Sequence, residues 1–362
     1  MTTGVAIVGT GHIAASYARS LTARGVRIVA CVDIDADRAI AFGMRWRAAS
    51  VSNLTELTAY SPDVALNLTS VLAHAEVTTK LLELGIPVFS EKPMALDVAA
   101  ARALVDLSIS RRIDLRCAPD TLLGTRQQRL RNALDVGLIG QPMLIIGQIA
   151  WSGHERWHPR PQSFYQAGGG PLLDLGPYWI ATMVDLVGPV VAVTAARPCH
   201  LPAQIGTTDS SAWIGFVPEV PTTVAVILEF ASGVMGCLTM SFDWPHTKAP
   251  SLEIVGDEGV LACDTPLFNG AGVLRHRLRG SKAWRRWHPH ILDHEAAISW
   301  YRGIGVVSMI NSPEVHETSL DKRLALHTLE ILQASSISLN TGKRIVVATP
   351  ELNLRRRFHH SV

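Results

Sequence analysis

The chain contains little charge and little cysteine, and both shortages exclude classes of protein. Charged residues make up 18% of the 362 positions and the formal net charge is +2. We therefore expect no strong attraction to nucleic acid or to an anionic membrane surface. The five cysteines include no C-x-x-C pair, which indicates reduced thiols in a cytoplasmic protein rather than a disulfide framework.

We also predict neither a signal peptide nor a membrane span from the sequence. The N-terminus has neither the basic segment nor the cleavage site of a signal peptide. The longest uncharged run, residues 136–154, is interrupted by a proline and four glycines, so we do not interpret it as a membrane span. Hydrophobic residues make up 48% of the chain, and this content at this length predicts a globular protein of two domains.

Two kinds of catalytic site find little support. A serine hydrolase is disfavoured because the G-x-S-x-G elbow is absent. A metal site could be built from His288, His290, Asp293 and His294, but only His290 and His294 have the spacing of a helical ligand pair. We predict no metal and interpret these residues as exposed polar side chains before a helix.

The first motif that is present is a glycine turn. The segment VAIVGTGHIAASYARSL begins as an apolar strand, breaks at a G-x-G-x-x-A pattern, and continues with helical spacing. This order of strand, glycines and helix is typical of a dinucleotide-binding fold, in which the pyrophosphate lies at the helix N-terminus. We expect the cofactor to contact Gly9, Thr10, Gly11, His12 and Ile13.

An acidic residue follows at the position where such a fold binds the adenosine ribose. The second apolar strand, VRIVACVD, ends on Asp33. A carboxylate there would repel a 2′-phosphate, which favours NAD over NADP. Arg38 is also predicted to lie at this site, and it is the residue that could reverse that preference.

Strands and helices continue to alternate up to about residue 120, which predicts a parallel sheet covered on both faces. Ligands of such sheets bind at the carboxyl ends of the strands. The residues predicted there for the cofactor are Asn67, Leu68, Thr69, His74, Glu91 and Lys92, with Asp120 predicted for the substrate. Lys92 has two interpretations, a proton-transfer residue with a lowered pKa or a solvated turn lysine before a proline.

The second half of the chain has a different pattern. A long polar and aromatic loop, residues 152–170, contains Trp157, His158 and Tyr165. These side chains either bind a polyhydroxylated ligand or pack on their own domain. Beyond the loop, GGGPLLDLGPYWI contains Asp174 and Tyr178, and its second proline predicts that a helix begins near residue 176. Five strand-like segments without helices between them then predict a mostly antiparallel sheet.

The chain resembles the Gfo/Idh/MocA family of oxidoreductases over nearly its whole length. The resemblance rests on AIVGTGHIA, on SEKP at residues 90–93, on CAPDTLLGTRQQRLRNALDVGLIGQP, and above all on GGGPLLDLGPYWI. It implies hydride transfer between NAD(P) and a carbon that bears a hydroxyl, usually on a sugar or cyclitol. The lysine of the family's E-K-P motif corresponds to Lys92, and the acid of its D-x-G-x-H motif corresponds to Asp174. The chain departs from that motif at Tyr178, where the family's motif has histidine. Tyrosine at this position occurs in a recognisable subgroup of the family.

These observations combine into one expectation. We predict an α/β protein with a Rossmann domain over residues 1–122 and a substrate-binding domain with a large, open, mostly antiparallel sheet over residues 123–362. The protein would be an NAD(P)-dependent dehydrogenase or ketoreductase of sugars, cyclitols or glycosides, with Lys92, Asp174 and Tyr178 as catalytic residues. The resemblance also implies a homodimer or homotetramer formed through the sheet. The alternatives are an inactive nucleotide-binding regulatory protein, and a lyase or hydrolase that recycles its NAD through a transient ketone.

Overall fold

A computed structural model describes residues 4–158, 161–198, 205–206, 215–267, 269–270, 272–287, 302–311 and 320–348. The chain divides into two compact units. The first takes the described residues of 1–125, 268–270 and 293–329, and the second takes those of 126–267, 271–292 and 330–362. The predicted domain boundary after residue 122 stays a prediction. The described helices are α1 Ala14–Ala23, α2 Ala36–Trp46, α3 His74–Glu83, α4 Val98–Arg111, α5 Thr125–Asp135, α6 Gly170–Asp174, α7 Gly176–Val187, α8 Ile304–Asn311 and α9 Lys322–Thr341.

The first unit is built on a parallel sheet with the order β3-β2-β1-β4-β5-β6. Its strands are β1 Gly4–Val8, β2 Arg27–Val32, β3 Ala49–Ser50, β4 Val64–Asn67, β5 Val88–Ser90 and β6 Leu115–Cys117. All five residues of β1 are buried, as expected of a central strand that is covered on both faces. β1 pairs with β2 on one side and β4 on the other, so the strand order reverses there, and dinucleotides bind at such a reversal.

The second unit contains a larger sheet, of nine described strands, with the order β16-β15-β14-β13-β7-β12-β11-β8-β17. The strands of this unit are β7 Pro142–Ala150, β8 Val190–Ala196, β9 Ile205–Gly206, β10 Gly215–Phe216, β11 Thr223–Phe230, β12 Met235–Ser241, β13 Leu252–Gly256, β14 Gly259–Cys263, β15 Leu274–Leu278, β16 Arg285–Arg286 and β17 Ile345–Val346. β7 and β12 pair in parallel, and the other pairs of the large sheet are antiparallel.

Helix α7 packs closely on one face of this sheet because β7 carries a glycine at the contact. A Cβ added to Gly147 would lie 2.6 Å from Met183 and 2.7 Å from Trp179, so only a glycine lets the helix approach this far. Trp179 is buried, and its indole N–H donates to the carbonyl of Ser251 at 2.9 Å. This packing fixes the start of α7, where the predicted catalytic tyrosine lies.

The predicted α/β fold class is confirmed: a parallel Rossmann sheet is followed by a mixed, mostly antiparallel sheet. The predicted start of α7 near residue 176 is confirmed as well. The β15–β16 hairpin was not predicted, because its alternating arginines suggest a solvated loop. Among the helices in the described ranges, none is long and apolar enough to cross a membrane.

Candidate active site

The glycine turn of the first unit has the shape that a pyrophosphate requires. Gly9 has φ +88°, and a Cβ added there would lie 2.8 Å from the backbone of Leu68, so this position admits only glycine. At Gly11 an added Cβ would meet no heavy atom within 4 Å. The space above the turn is therefore open where α1 is about to begin, and His12 is exposed beside it. The residues present thus fit an NAD pyrophosphate at the N-terminus of α1.

Asp33 is held at the end of β2 by four hydrogen bonds. One carboxylate oxygen accepts from the backbone N–H of Thr10 at 2.7 Å and from its hydroxyl at 2.9 Å. The other accepts from the N–H of Asp35 and from Arg38, each at 2.9 Å. Burial by itself raises the pKa of Asp33, but these donors outweigh it and hold that pKa below its ordinary value. Asp33 is therefore an ionised carboxylate beside the glycine turn, as a ribose-binding residue should be.

Arg38 is tied to two carboxylates rather than projecting alone. Besides Asp33, its guanidinium lies 3.1 Å from Asp35. The positive charge that could attract a 2′-phosphate is thus partly neutralised within the protein, which agrees with the predicted preference for NAD.

The turn after β4 and the turn after β5 are joined by one histidine. His74 is buried, with one ring nitrogen 2.7 Å from the carbonyl oxygen of Pro93 and the other 3.1 Å from that of Thr69. The fully buried Asn67 braces the same region, because its amide donates to the carbonyl of His74 and accepts the hydroxyl of Thr69. Leu68 is buried between these residues. These side chains shape the turn from within, while their predicted contact with the cofactor stays a prediction.

Lys92 follows β5 and is anchored by the carboxylate of its neighbour. Glu91 is buried; one oxygen accepts the N–H of Lys92 at 2.9 Å, and the other accepts the hydroxyl of Tyr17 at 2.9 Å and a guanidinium N–H of Arg302 at 3.1 Å. Burial raises the pKa of Glu91, yet Arg302, Lys92 and these hydrogen bonds together lower it below its ordinary value. Lys92 itself is half-buried, which is less exposure than a freely solvated turn lysine would have.

Asp120, predicted to bind the substrate, is buried and makes contacts within its own unit. Its carboxylate accepts the N–H of Gly303 at 2.6 Å and that of Gly305 at 3.4 Å, at the start of α8. Burial raises the pKa of Asp120, and the nearby charge of Glu91 adds to the effect, against the opposing influence of Arg302. In this structure Asp120 stabilises the N-terminus of α8, and its role toward the substrate stays a prediction.

In the second unit the glycine triplet brings the chain into α6. Gly168 has φ +88° and Gly170 has φ +81°, while a Cβ on Gly169 would lie 2.6 Å from the carbonyl oxygen of Phe164. Two of the three positions therefore need glycine for their backbone conformation and the third needs it for space. Asp174 ends the short helix that follows, and Tyr178 is buried in the first turn of α7.

The aromatic loop packs largely on itself. Tyr165 is buried; its hydroxyl donates to Glu155 and accepts the N–H of His154. Burial, followed by Glu155, raises the pKa of this phenol. Trp157, by contrast, is 54% exposed, although the rings of His154 and His158 contact its indole. The packing interpretation therefore fits Tyr165, the ligand-binding one remains open for Trp157 and His158, and all three assignments stay predictions.

Sequence reasoning did not find the pair formed by His154 and Asp174. The imidazole Nε2 lies 3.0 Å from a carboxylate oxygen of Asp174. The two residues belong to different segments with no shared motif, and His154 attracts attention in the sequence only as one polar residue of the loop. The same holds for Arg302, whose contact with Glu91 joins residues 211 positions apart.

The metal question falls mainly outside the described part of the chain. His288, His290, Asp293 and His294 are not among the described residues. Among the residues that are described, no group of three or more His, Cys, Asp or Glu side chains is placed to hold a metal ion. The expectation of no metal stays a prediction.

Comparison with known proteins agrees with this geometry. Residues 3–113 match the oxidoreductase family with an NAD-binding Rossmann fold, and residues 127–262 match the GFO/IDH/MocA C-terminal domain. The protein is thus an NAD-binding oxidoreductase by fold. The chain belongs to the GFO/IDH/MocA family.

Several relatives are dehydrogenases of sugars or cyclitols. The chain is 28% identical to the myo-inositol dehydrogenase Hyg17 of Streptomyces leeuwenhoekii, over 76% of this chain and 82% of the relative. It is also 28% identical to the D-glucoside 3-dehydrogenase of Escherichia coli, over 66% of this chain and 70% of the relative. Its fold is similar to that of the WlbA dehydrogenase of Bordetella pertussis, solved with NADH and UDP-GlcNAcA, with a TM-score of 0.72 and 19% identity over 97% of this chain and 100% of the other.

Proposed function

We propose that the protein is an NAD-dependent dehydrogenase or ketoreductase that acts on a secondary alcohol or ketone of a sugar, cyclitol or glycoside. The observation that carries the proposal is the anchoring of Lys92. This half-buried lysine follows β5 at the sheet edge that also carries the glycine turn and Asp33, and its peptide is held by the buried Glu91. The inositol and glucoside dehydrogenases among the relatives support the substrate class.

Bound NAD would accept or supply the hydride. The chain's own contribution is to bind the nucleotide and to manage the proton on the reacting oxygen. Asp33 would accept the ribose hydroxyls, and the open turn at Gly11 would receive the pyrophosphate. Lys92 would bind the reacting hydroxyl and move its proton, because a partly buried amine can serve both purposes.

Tyr178 and Asp174 are the other two residues to which we assign a role in the reaction. Tyr178 has a hydroxyl in the place of the family's imidazole, and we assign the chain to the subgroup with this replacement. As an acid that protonates a carbonyl, a phenol needs no assistance, whereas its reference pKa of about 10 makes it a weak base near neutral pH. Asp174 would accept a hydrogen bond from a substrate hydroxyl.

The test is nicotinamide absorbance with NAD and a panel of sugars, cyclitols and glycosides, compared between wild type and two variants. We expect Lys92→Met and Tyr178→Phe each to lower kcat by roughly 100- to 10,000-fold, as typical of general acid–base residues, with NADH affinity kept. Lys80→Met, at an exposed lysine of α3, is the matched control and should turn over like wild type. Full activity in both site variants would refute the assigned roles.

The same panel separates the alternatives. NADH binding without turnover on any substrate would favour a regulatory protein. Product formation without net NADH would favour a lyase or hydrolase that recycles its cofactor. We also propose a cytoplasmic protein, which is supported by free thiols at Cys31, Cys117, Cys237 and Cys263.

We further propose that the chain forms a homodimer or homotetramer through the open face of the large sheet. Two of the side chains on this face are apolar and far from buried: Ile227 is 46% exposed and Met235 is 50% exposed. They lie on neighbouring strands, β11 and β12, and apolar surface of this kind favours association with a second copy.

A further inference from the structure

His154 is placed to control the carboxylate of Asp174. The imidazole is 4% exposed, while the side chain of Asp174 is 20% exposed. Their 3.0 Å contact therefore joins a buried nitrogen to a carboxylate that still reaches the surface of the second unit. More of the Asp174 side chain than of the imidazole is therefore exposed at this pair.

The imidazole is fixed by rings on two sides and by its own backbone. The ring of Phe164 stacks on the imidazole, with 4.0 Å between the ring centroids and an interplanar angle of 17°. The ring of Phe242 contacts the imidazole edge to face, with 4.8 Å between the ring centroids and an interplanar angle of 87°. Its backbone N–H donates to the hydroxyl of Tyr165, which in turn donates to Glu155. The ring therefore cannot turn away from Asp174 without disturbing several packed groups.

The contacts of the two ring nitrogens indicate which one carries the proton. The Nδ1 atom of His154 is buried and has no hydrogen-bond partner among the described residues. A proton there would be a buried, unsatisfied donor, which is unfavourable. With the proton on Nε2, the imidazole is neutral and donates to the carboxylate of Asp174.

We propose that His154 is a positioning residue that orients Asp174 toward the substrate. By donating to one oxygen of the carboxylate, the imidazole restricts the rotation of the Asp174 side chain and so fixes the direction in which the carboxylate points. His154, in the loop after β7, thus provides an imidazole next to Asp174. The tyrosine that replaces the family's histidine, Tyr178, lies on α7 instead. This inference rests on the proposed function, because it assumes that Asp174 binds the substrate.

The first test compares two replacements of His154 in the full-length enzyme. His154→Phe keeps a ring against Phe164 but removes the donor, and His154→Gln keeps an N–H at the end of a side chain of similar reach. We expect kcat/KM to fall roughly 10- to 100-fold in His154→Phe, as for loss of a hydrogen bond to a charged group, and to recover to within a few-fold of wild type in His154→Gln. His276→Phe is the matched control, since His276 is a buried histidine of β15 that contacts Trp287, and its kcat/KM should equal that of wild type.

A second test reads the pair without turnover. In protein labelled with nitrogen-15 at histidine, the imidazole resonance lost in His154→Gln identifies His154, and it should show a neutral ring protonated on Nε2. Asp174→Asn should shift that resonance.

The outcomes distinguish the two proposals. If the wild-type enzyme turns over none of the sugars, cyclitols and glycosides, the proposed function is refuted. The nitrogen-15 resonance of His154 would then still test its hydrogen bond to Asp174. If wild type is active, a folded His154→Phe variant with unchanged kcat/KM would overturn the positioning role. So would a His154→Gln variant as impaired as His154→Phe, or a resonance from a ring protonated on Nδ1.

Discussion

Replacing Arg302 by methionine should destabilise the protein in a way that depends on pH. Arg302 lies 3.1 Å from the buried Glu91, and its charge also lowers the pKa of the buried Asp120. Methionine has similar length and no charge, so the variant keeps two buried carboxyl groups and loses the cation that lowers the pKa of both. Removing one partner of a buried ion pair costs about 3–5 kcal/mol. Because the side chain of Arg302 is 30% exposed, we expect the lower end, about 3 kcal/mol near neutral pH.

The sign of the pH dependence follows from the two carboxyl groups. In wild type the pKa of Glu91 lies below its ordinary value, so Glu91 contributes stability above its unfolded pKa of about 4, and this is lost as the pH falls. Without Arg302, the pKa of Glu91 increases from its lowered value, and the already raised pKa of Asp120 increases further. Groups with raised folded-state pKa values lose stability as the pH increases from about 4. The deficit of the variant should therefore be small near pH 4 and should grow toward neutral pH.

Urea unfolding followed by circular dichroism at about pH 5 and about pH 7.5 measures this difference. Arg344→Met, which breaks an exposed pair with Glu229, is the control and should show little change at either pH. Arg302→Lys should recover part of the stability, because it restores the charge without the planar guanidinium. A deficit for Arg302→Met that is the same at both pH values, or is absent, would refute this account of the cluster.

Two further predictions concern the glycine turn and the sheet. Gly9→Ala should lower both the unfolding free energy and NADH affinity, since its methyl group would overlap the backbone of Leu68. Gly11→Ala should melt like wild type and lose only NADH affinity, because its methyl group enters the space proposed for the pyrophosphate. Equal effects of the two variants in thermal melting and in NADH-fluorescence titrations would contradict this. Ile227→Lys should convert the proposed oligomer to monomers, as measured by light scattering after size exclusion. Ile109→Lys, on the exposed side of α4, is the control and should leave the mass unchanged. An unchanged mass for Ile227→Lys would exclude this face of the sheet as the interface.

Much of the first unit could be predicted because its signals are local. Gly9 and Gly11 lie between an apolar strand and a helix, so adjacent residues predict the turn, and the positive φ of Gly9 is a local requirement for glycine. In the second unit, Pro177 in the first turn and Gly188 at the C-cap bound α7 in the same way. Short-range rules of backbone conformation were sufficient for these elements.

The contacts that were missed depend on tertiary packing. Nothing near His154 or Arg302 in the chain indicates their carboxylate partners, because those partners come from distant segments. The β15–β16 hairpin was missed for a different reason. Arg275 and Arg286 lie directly opposite each other in its register, which is unfavourable for a strand pair considered alone. Pairing with β14 and burial of Leu274 outweigh that repulsion.

The internal contacts of two predicted substrate-binding residues show the same limit, while their assignment to the substrate stays a prediction. Tyr165 and Asp120 are polar residues in segments where a ligand was expected, and composition cannot reveal that their polar atoms already have partners inside the protein.

The histidine between two turns has a consequence for redesign. His74 lies within hydrogen-bond distance of a peptide oxygen in the segment after β4 and of another in the segment after β5. A substitution that reshapes either segment, for instance to admit a bulkier cofactor, must also satisfy the imidazole nitrogen that loses its partner. The effects on stability of changes in the two segments should therefore be non-additive, because both act on the hydrogen bonds of the same imidazole.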